Sequence, residues 1–300
     1  MTTTQQMTGT RDAAQYSGAA PAPRRPRRSG PRIVPWLAVI VIGVFAFGPT
    51  YWLLVTSVTP DSQVYQYPPQ FFPTSFTLDN YVSVFTDPQI YGWLTNSLIV
   101  AGATAVLSVI ISAYMGYAIS KFRFRGRRPL LLFILFSQML PSALLLVTLY
   151  TVFASLGLLN NRLSLIVSFT TFTLPLCVWM LKEFFDTLPD DLIEAAAIDG
   201  ASRWRTLHAV VLPLTIPGMV AAGLFAFMRG WNDFIFALTL TSQDQRTLPP
   251  ALVNKYMGEA GTDWPELMAA SFLVALPVAI AFIALQRFLT GGLTAGAVKG

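Results

Sequence analysis

The stretch LTNSLIVAGATAVLSVIISAYMGYAI, residues 94–119, has no charged side chain in 26 consecutive positions. A helix needs about 20 mostly apolar residues to cross the hydrocarbon core of a membrane. The strands of a membrane barrel are shorter, about 10 residues, and alternate between polar and apolar side chains. Because this run is longer and continuously apolar, it predicts a transmembrane helix.

Five further stretches of the same character lie on either side of it, at about 33–57, 129–152, 163–181, 214–240 and 267–289. Of the 300 residues, 54% are hydrophobic and only 12% are charged, whereas an average soluble domain has about 25% charged residues. So few charges cannot cover a water-facing surface, which excludes an ordinary cytosolic enzyme, a disordered chain and a nucleic-acid-binding domain. The sequence therefore predicts an all-α polytopic membrane protein with six transmembrane helices.

The distribution of Lys and Arg predicts the orientation of these helices. With a cytoplasmic N-terminus, the cytoplasmic segments hold 16 of the 20 basic residues and the outer segments hold 3, while Arg229 lies within a span. Basic residues are retained preferentially on the cytoplasmic side. Both termini are therefore predicted to be cytoplasmic.

Three regions are predicted from composition. Residues 1–31 have almost no large apolar side chains and are predicted to be a disordered basic tail. Its basic cluster at 24–28 is interpreted as a contact for membrane lipid rather than for nucleic acid. Residues 32–290 form the six-helix domain, including a cytoplasmic loop at 182–213, and residues 291–300 form a cytoplasmic tail.

The chain has one cysteine, Cys177, and one histidine, His208. Metal sites and Ser/His/Asp catalysis need several such groups, so we expect no metal site and no enzyme activity in this chain. It also has no phosphate loop of the form G-x-x-x-x-G-K-[ST]. Any ATP chemistry must come from a partner.

The loop at 182–213 is the only predicted cytoplasmic segment rich in both charge signs. A helix is predicted to start at Pro189, because proline suits the first helical turn, and to stop at Gly200. Ser202 is predicted to cap a second helix, which Pro213 interrupts before the fifth span. On these grounds an ordinary amphipathic hairpin and a docking element for another protein are equally open.

The sequence of this loop resembles a known signature. Glu194-Ala195-Ala196, three residues, Gly200, nine residues and Val210-x-Leu212-Pro213 are similar to the EAA signature of ABC-importer permeases, with Val210 in place of Ile. The outer loop segment 76–81, the triplet 231–233 and the tail 291–300 also resemble the smaller permease subunit of carbohydrate importers of the maltose-transporter type.

The resemblance implies an assembly in the bacterial plasma membrane. Its members would be a second, non-identical permease subunit, two ATP-binding subunits that hold ATP and Mg, and an extracytoplasmic sugar-binding protein. The residues implied to couple this chain to the ATPase are Glu194, Ala195, Ala196, Asp199, Gly200, Leu212 and Pro213. The resemblance also implies that Gly296 and Lys299 of the tail lie near the ATPase.

Polar groups inside a span are candidates for the transport path, because they are costly in lipid. The candidates here are Gln138 in the third span and Arg229, Asn232 and Asp233 in the fifth. Arg229 and Asp233 are four residues apart, so a continuous helix would pair them on one face. An ion pair that positions the helix and a site that binds a polar substrate are both open. Gln138 and Pro141 in the third span, and Pro175 in the fourth, predict kinks or loosened turns.

Three functions compete. The first is a sugar importer permease, for example for trehalose or maltose. A neutral sugar fits a path in which Asp233 compensates the one basic group, Arg229. A permease of the same class for glycerol phosphate, an amino acid or a peptide is the second hypothesis, and an anionic solute would favour several uncompensated basic groups. A self-sufficient secondary transporter is the third, although no clear internal repeat is present. The import direction is implied by the resemblance alone.

Overall fold

The structure is a computed structural model that describes residues 33–242, 244–258 and 261–297, with side chains from 35 to 288. The helices are α1 (Ile33–Ser57), α2 (Asp61–Val64), α3 (Asp79–Thr86), α4 (Pro88–Lys121), α5 (Arg127–Phe136), α6 (Ser142–Ser155), α7 (Arg162–Asp186), α8 (Asp191–Ile198), α9 (Arg203–Thr206), α10 (Leu212–Leu214), α11 (Ile216–Trp231), α12 (Ile235–Leu240), α13 (Leu248–Tyr256) and α14 (Trp264–Ala297). Two short strands, β1 (Met257–Gly258) and β2 (Gly261–Thr262), pair antiparallel. The chain divides after Gly48 into two units, and the contacts below belong to the second.

The prediction of an all-α membrane protein is confirmed. Four helices are long and apolar enough to cross a membrane, Pro35–Ser57, Pro88–Lys121, Arg162–Asp186 and Trp264–Phe288. Two further pairs of helices each satisfy the same criterion together but are sharply bent, which gives up to six spans. These bends distinguish the third and fifth spans from the continuous helices that the hydrophobic runs predict.

The third span breaks at Pro141. The helical segments 127–139 and 142–155 meet there at 93°. Leu140 and Pro141 are both extended, with ψ angles of 125° and 117°, because proline disfavours the helical conformation of the residue before it. The predicted kink at Pro141 is confirmed. By contrast, Pro175 lies inside α7, which runs from Arg162 to Asp186 without a break.

The prediction of one helix over 214–240 is wrong. Helix α11 ends at Trp231, and α12 begins only at Ile235. The chain also bends by 75° before α11, between the helical segments 203–214 and 216–231. Pro213 lies in α10, within the segment 203–214 and two residues before the bend at Thr215. A five-residue π-helical segment, Leu207–Val211, precedes it.

Helices α4, α7 and α11 pack against one another as the centre of the bundle. Small residues allow this, as at Gly230, where an added Cβ would lie 3.1 Å from the Cα of Ala101. A hydrogen bond of 2.7 Å between the buried hydroxyls of Ser108 and Thr173 also joins α4 to α7. This packing connects the cytoplasmic loop between α7 and α11 directly to the spans.

The predicted boundaries of the terminal regions are not tested. The N-terminal tail 1–31 lies outside the described residues. At the other end, α14 continues to Ala297, past the predicted boundary at residue 290. Gly296 lies within that helix, and Lys299 lies outside the described part of the chain.

Candidate functional site

The cytoplasmic hairpin, here defined as residues 190–206, is two short helices joined by a turn at Gly200. Gly200 has a φ of +79°, which favours glycine. Its N–H donates to the carbonyl of Ala197 at 3.1 Å, and the N–H of Ala201 donates to the carbonyl of Ala196 at 2.9 Å. These two bonds are the Schellman pattern that ends a helix. The predicted stop at Gly200 and the predicted cap by Ser202, whose hydroxyl accepts from the N–H of Arg205, are both confirmed.

The tip of the hairpin presents apolar and acidic groups to its surroundings. The side chains of Ile198 and Trp204 are 86% and 65% exposed. Glu194 is also exposed and makes no side-chain hydrogen bond or ion pair within the described part of the chain. An exposed apolar surface beside an unpaired carboxylate is suited to contact with another protein.

A lysine at the end of α4 holds the base of the hairpin. The Nζ of Lys121 donates to the carbonyl of Leu188 at 2.8 Å and to Oδ1 of Asp190 at 2.7 Å. This hydrogen bond and the lysine charge hold the pKa of the Asp190 carboxyl below its ordinary value. The pair is therefore intact at neutral pH and is lost as the pH falls through that lowered pKa.

The predicted coupling residues do not form one continuous surface. Glu194, Ala195, Asp199 and Gly200 are exposed on the tip, whereas Ala196 is only 9% exposed and faces the bundle. Leu212 packs against a buried cluster that includes Tyr117 and Leu181, and Pro213 follows it in α10, near the 75° bend. The predicted coupling residues are therefore divided between the exposed tip and this bend, which lies outside the hairpin.

Gln138 and Arg229 line the same cavity, although 91 residues separate them in sequence. This cavity, of about 410 Å³, lies at the break in the third span. The Nε2 of Gln138 donates to the carbonyl of Phe172 at 2.6 Å, which leaves its Oε1 available as an acceptor. Irregular backbone at membrane depth is tolerated where it lines a cavity. Asn232 is exposed and does not line this cavity.

The ion pair that Arg229 and Asp233 would form in a continuous helix is absent from the described part of the chain. Helix α11 ends at Trp231, so the two residues are not one helical turn apart. Instead Oδ1 of Asp233 accepts from the N–H of Phe236 at 2.9 Å and from that of Ala237 at 3.2 Å. With 7% of its surface exposed, Asp233 is a buried cap of α12.

We expect Asp233→Ala to destabilise the protein by about 2 kcal/mol, because both N–H groups lose their acceptor. Asp233→Asn keeps an accepting Oδ1 and is expected to retain most of that stability. Thermal unfolding of the detergent-solubilised protein checks both variants. Equal losses in the two would show that the charge of Asp233, rather than its capping geometry, is what the protein needs.

The cavity at Gln138 and Arg229 is also lined by Thr171, Phe172 and Phe225, which were not predicted from the sequence. Phe225 lies four residues before Arg229 in α11, so helical spacing could have identified it. Thr171 and Phe172 come from α7, and nothing in their local sequence indicates that they face the third span. They contribute a hydroxyl and an aromatic ring to the lining.

The chain has the features of an integral membrane transport subunit: apolar spans, a broken third span with a cavity, and an exposed cytoplasmic hairpin. The sequence matches the family described as "Binding-protein-dependent transport system inner membrane component" over residues 108–294. The chain belongs to this family.

Relatives in this family are similar over most of their length. The sulfoquinovosyl glycerol transport system permease protein SmoH of Agrobacterium fabrum is 35% identical, covering 88% of this chain and 93% of that protein. The trehalose/maltose transport system permease protein MalG of Thermococcus litoralis is 35% identical, covering 90% and 97%. A bacterial ABC transporter for import of alginate shares the fold, with a TM-score of 0.74 at 22% identity, covering 85% of this chain and 96% of that one.

Proposed function

We propose that this chain is the permease subunit of an ATP-driven carbohydrate importer, and that its hairpin couples ATP hydrolysis to transport. The observation that carries the proposal is the exposed tip with its unpaired Glu194 and its turn at Gly200. The printed functions of relatives support a carbohydrate as substrate, since they include transport of trehalose/maltose and of sulfoquinovosyl glycerol.

The proposed assembly contains a second, non-identical permease, two ATP-binding subunits and an extracytoplasmic sugar-binding protein. ATP and Mg are bound by the ATPase subunits, and this chain is not catalytic. Glu194 is proposed to pair with a basic group of the ATPase. The apolar tip at Ile198 would be covered by the same contact, because its exposure in this chain is otherwise unfavourable.

The route from the hairpin to the cavity is short. The second helix of the hairpin continues through the π-helical segment and α10 to the bend before α11. Helix α11 carries Arg229 to the cavity and packs against α4 and α7. A movement of the tip, driven by closure of the ATPase, would therefore turn α11 as a rigid element, and ATP and solute would bias the same two-state movement.

Gln138 and Arg229 are proposed to contact the solute. An amide oxygen and a guanidinium suit the hydroxyl groups of a sugar, and the rings of Phe172 and Phe225 suit its apolar face. A disaccharide such as trehalose or maltose is the proposed substrate. Asp233 is engaged as a helix cap, and Arg229 forms no ion pair with any residue whose side chain the structure describes. An anionic solute of the same transporter class therefore stays the second candidate.

Purification of the tagged chain from its native membrane in mild detergent tests this proposal. We expect an ATPase and a second permease to accompany it, and vesicles containing the complex to accumulate trehalose or maltose only when ATP is supplied. Addition of a protonophore is expected to leave this uptake unchanged. A chain that purified alone and moved solute without ATP would instead support a secondary transporter.

A further inference from the structure

A second cleft, of about 560 Å³, lies between the end of α4, the start of α5 and the hairpin. It is separate from the cavity at Gln138, and it shares Glu194 with the exposed tip of the hairpin. One wall is the loop Lys121–Arg128, in which basic residues alternate with Phe122 and Phe124. The other wall is formed by α8 and α9 of the hairpin. The function proposed above uses Glu194 at the edge of this cleft and assigns no role to its arginines.

Three arginines line the cleft without a carboxylate partner. Arg123 and Arg127 come from the loop and Arg203 comes from α9. None of the three forms an ion pair among the residues whose side chains are described, although the charge of Arg123 acts on Asp190. The Cζ of Arg203 lies 5.5 Å from the ring centroid of Phe122. The acidic residues Asp186 and Asp190 at the same cleft are already paired with lysines. The cleft therefore has uncompensated positive charge, opposed only by Glu194.

The position of Arg127 adds to this charge. It is the first residue of α5, and no side chain caps that end of the helix. The N-terminus of a helix has a positive partial charge, so a basic residue there is unfavourable unless an anion is near. Two walls that each present arginines also repel one another. One anion between them would relieve both interactions.

The cleft lies at the membrane boundary. Lys121, the last residue of α4, ends a candidate membrane span, and Phe122 and Phe124 beside it are 36% and 42% exposed. Exposed aromatic rings next to basic groups are typical of the interface between lipid and water. By the distribution of basic residues, this end of α4 faces the cytoplasm. The anion available there at high local concentration is the phosphate of an anionic phospholipid.

We propose that the cleft binds the phosphate headgroup of an anionic phospholipid of the cytoplasmic leaflet, held by Arg123, Arg127 and Arg203. The lipid bridges the loop after α4 and the hairpin, so that it braces the hairpin against the membrane surface. The acyl chains extend past Phe122 and Phe124 into the leaflet. This proposal does not depend on which solute is transported.

The test compares two double variants that remove the same charge from the same two elements. Arg123→Gln with Arg203→Gln removes guanidiniums that line the cleft. Arg125→Gln with Arg205→Gln is the matched control, because neither residue lines it. Each complex, purified through a tag on this chain, is delipidated and incorporated into phosphatidylcholine nanodiscs with increasing phosphatidylglycerol. Native mass spectrometry then counts the phosphatidylglycerol that remains bound.

We expect the cleft variant to bind phosphatidylglycerol about 25-fold more weakly, since each arginine near the membrane surface contributes about fivefold. The control is expected to remain within about twofold of the wild type. Equal losses in the two variants, or no loss in either, would overturn the proposal. Displacement of the lipid by millimolar inorganic phosphate would identify a site for soluble phosphate instead.

Two other causes of weaker lipid binding are tested separately: a folding defect, and occupation of the cleft by the ATPase. Thermal unfolding and the recovery of partner subunits must be equal in the two double variants, which shows that neither has a folding defect. If only the cleft variant is defective, the single substitution Arg123→Gln is measured instead, and we expect it to bind phosphatidylglycerol about fivefold more weakly. If wild-type complex bound phosphatidylglycerol only after its ATPase subunits were stripped away, an acidic group of the ATPase would be the occupant and the lipid proposal would be wrong.

Discussion

Gly200→Asp is expected to reduce ATP-dependent uptake by more than about tenfold while the chain still inserts into the membrane. An added Cβ at Gly200 meets nothing within 4 Å, so the substitution creates no clash inside the chain. The positive φ costs a non-glycine residue about 1 kcal/mol, which the fold can absorb. The new carboxylate instead lies on the exposed tip beside Glu194, where the ATPase is proposed to bind. Losing about 1.4 kcal/mol of that contact corresponds to tenfold in affinity.

Gly157→Asp is the control for this substitution. Gly157 also has a positive φ, +68°, and equally open space around an added Cβ. It lies between α6 and α7, on the predicted outer side. Uptake into vesicles and the amount of ATPase that co-purifies with the chain are measured for both variants. Normal uptake in Gly200→Asp would contradict the coupling role of the hairpin, and equal losses in both variants would attribute the effect to backbone strain.

The sequence predicted the number and type of the spans well, because each depends on local hydrophobicity alone. Helices α4 and α7 extend beyond the predicted runs by several residues, because helical hydrogen bonding continues past each apolar run. The hairpin was predictable for a similar reason. A proline, a glycine and a serine define its helix ends through local backbone geometry.

The interruption of the fifth span was not predictable in the same way. Asn232 and Asp233 favour helix ends, but the apolar residues on either side favoured one continuous helix, and the four-residue spacing of Arg229 and Asp233 favoured an ion pair. The backbone N–H groups of Phe236 and Ala237 instead compete for the carboxylate. Once the helix is interrupted, two buried N–H groups without an acceptor would cost more free energy than an exposed ion pair contributes. That balance depends on burial, which the sequence does not state.

The candidate cavity was half predictable. Gln138 and Arg229 were identified because polar groups within apolar runs are exceptional. Their proximity depends on a 93° bend, whose position Pro141 indicates but whose size does not follow from any local residue. The packing of α7 against both spans then completes the lining. Tertiary contacts of this kind have no signal within one segment.

The largest expected effect on folding comes from Gly116→Val. An added Cβ at Gly116 would lie 3.0 Å from the backbone N of Lys182 and 3.3 Å from the carbonyl oxygen of Val178. Both are backbone atoms of α7, so they cannot move aside as a flexible side chain would. Valine adds two methyl groups beyond that Cβ and would force α4 and α7 apart. We expect a loss of about 3 kcal/mol, and little protein in the membrane.

Gly102→Val is the matched control, because Gly102 lies in the same helix and an added Cβ there meets nothing within 4 Å. Valine is slightly better than glycine in a helix, so this variant is expected to accumulate normally. Membrane abundance and thermal unfolding after solubilisation distinguish the two. If Gly116→Val were as stable as Gly102→Val, the close contact of α4 with α7 would not be required for the fold.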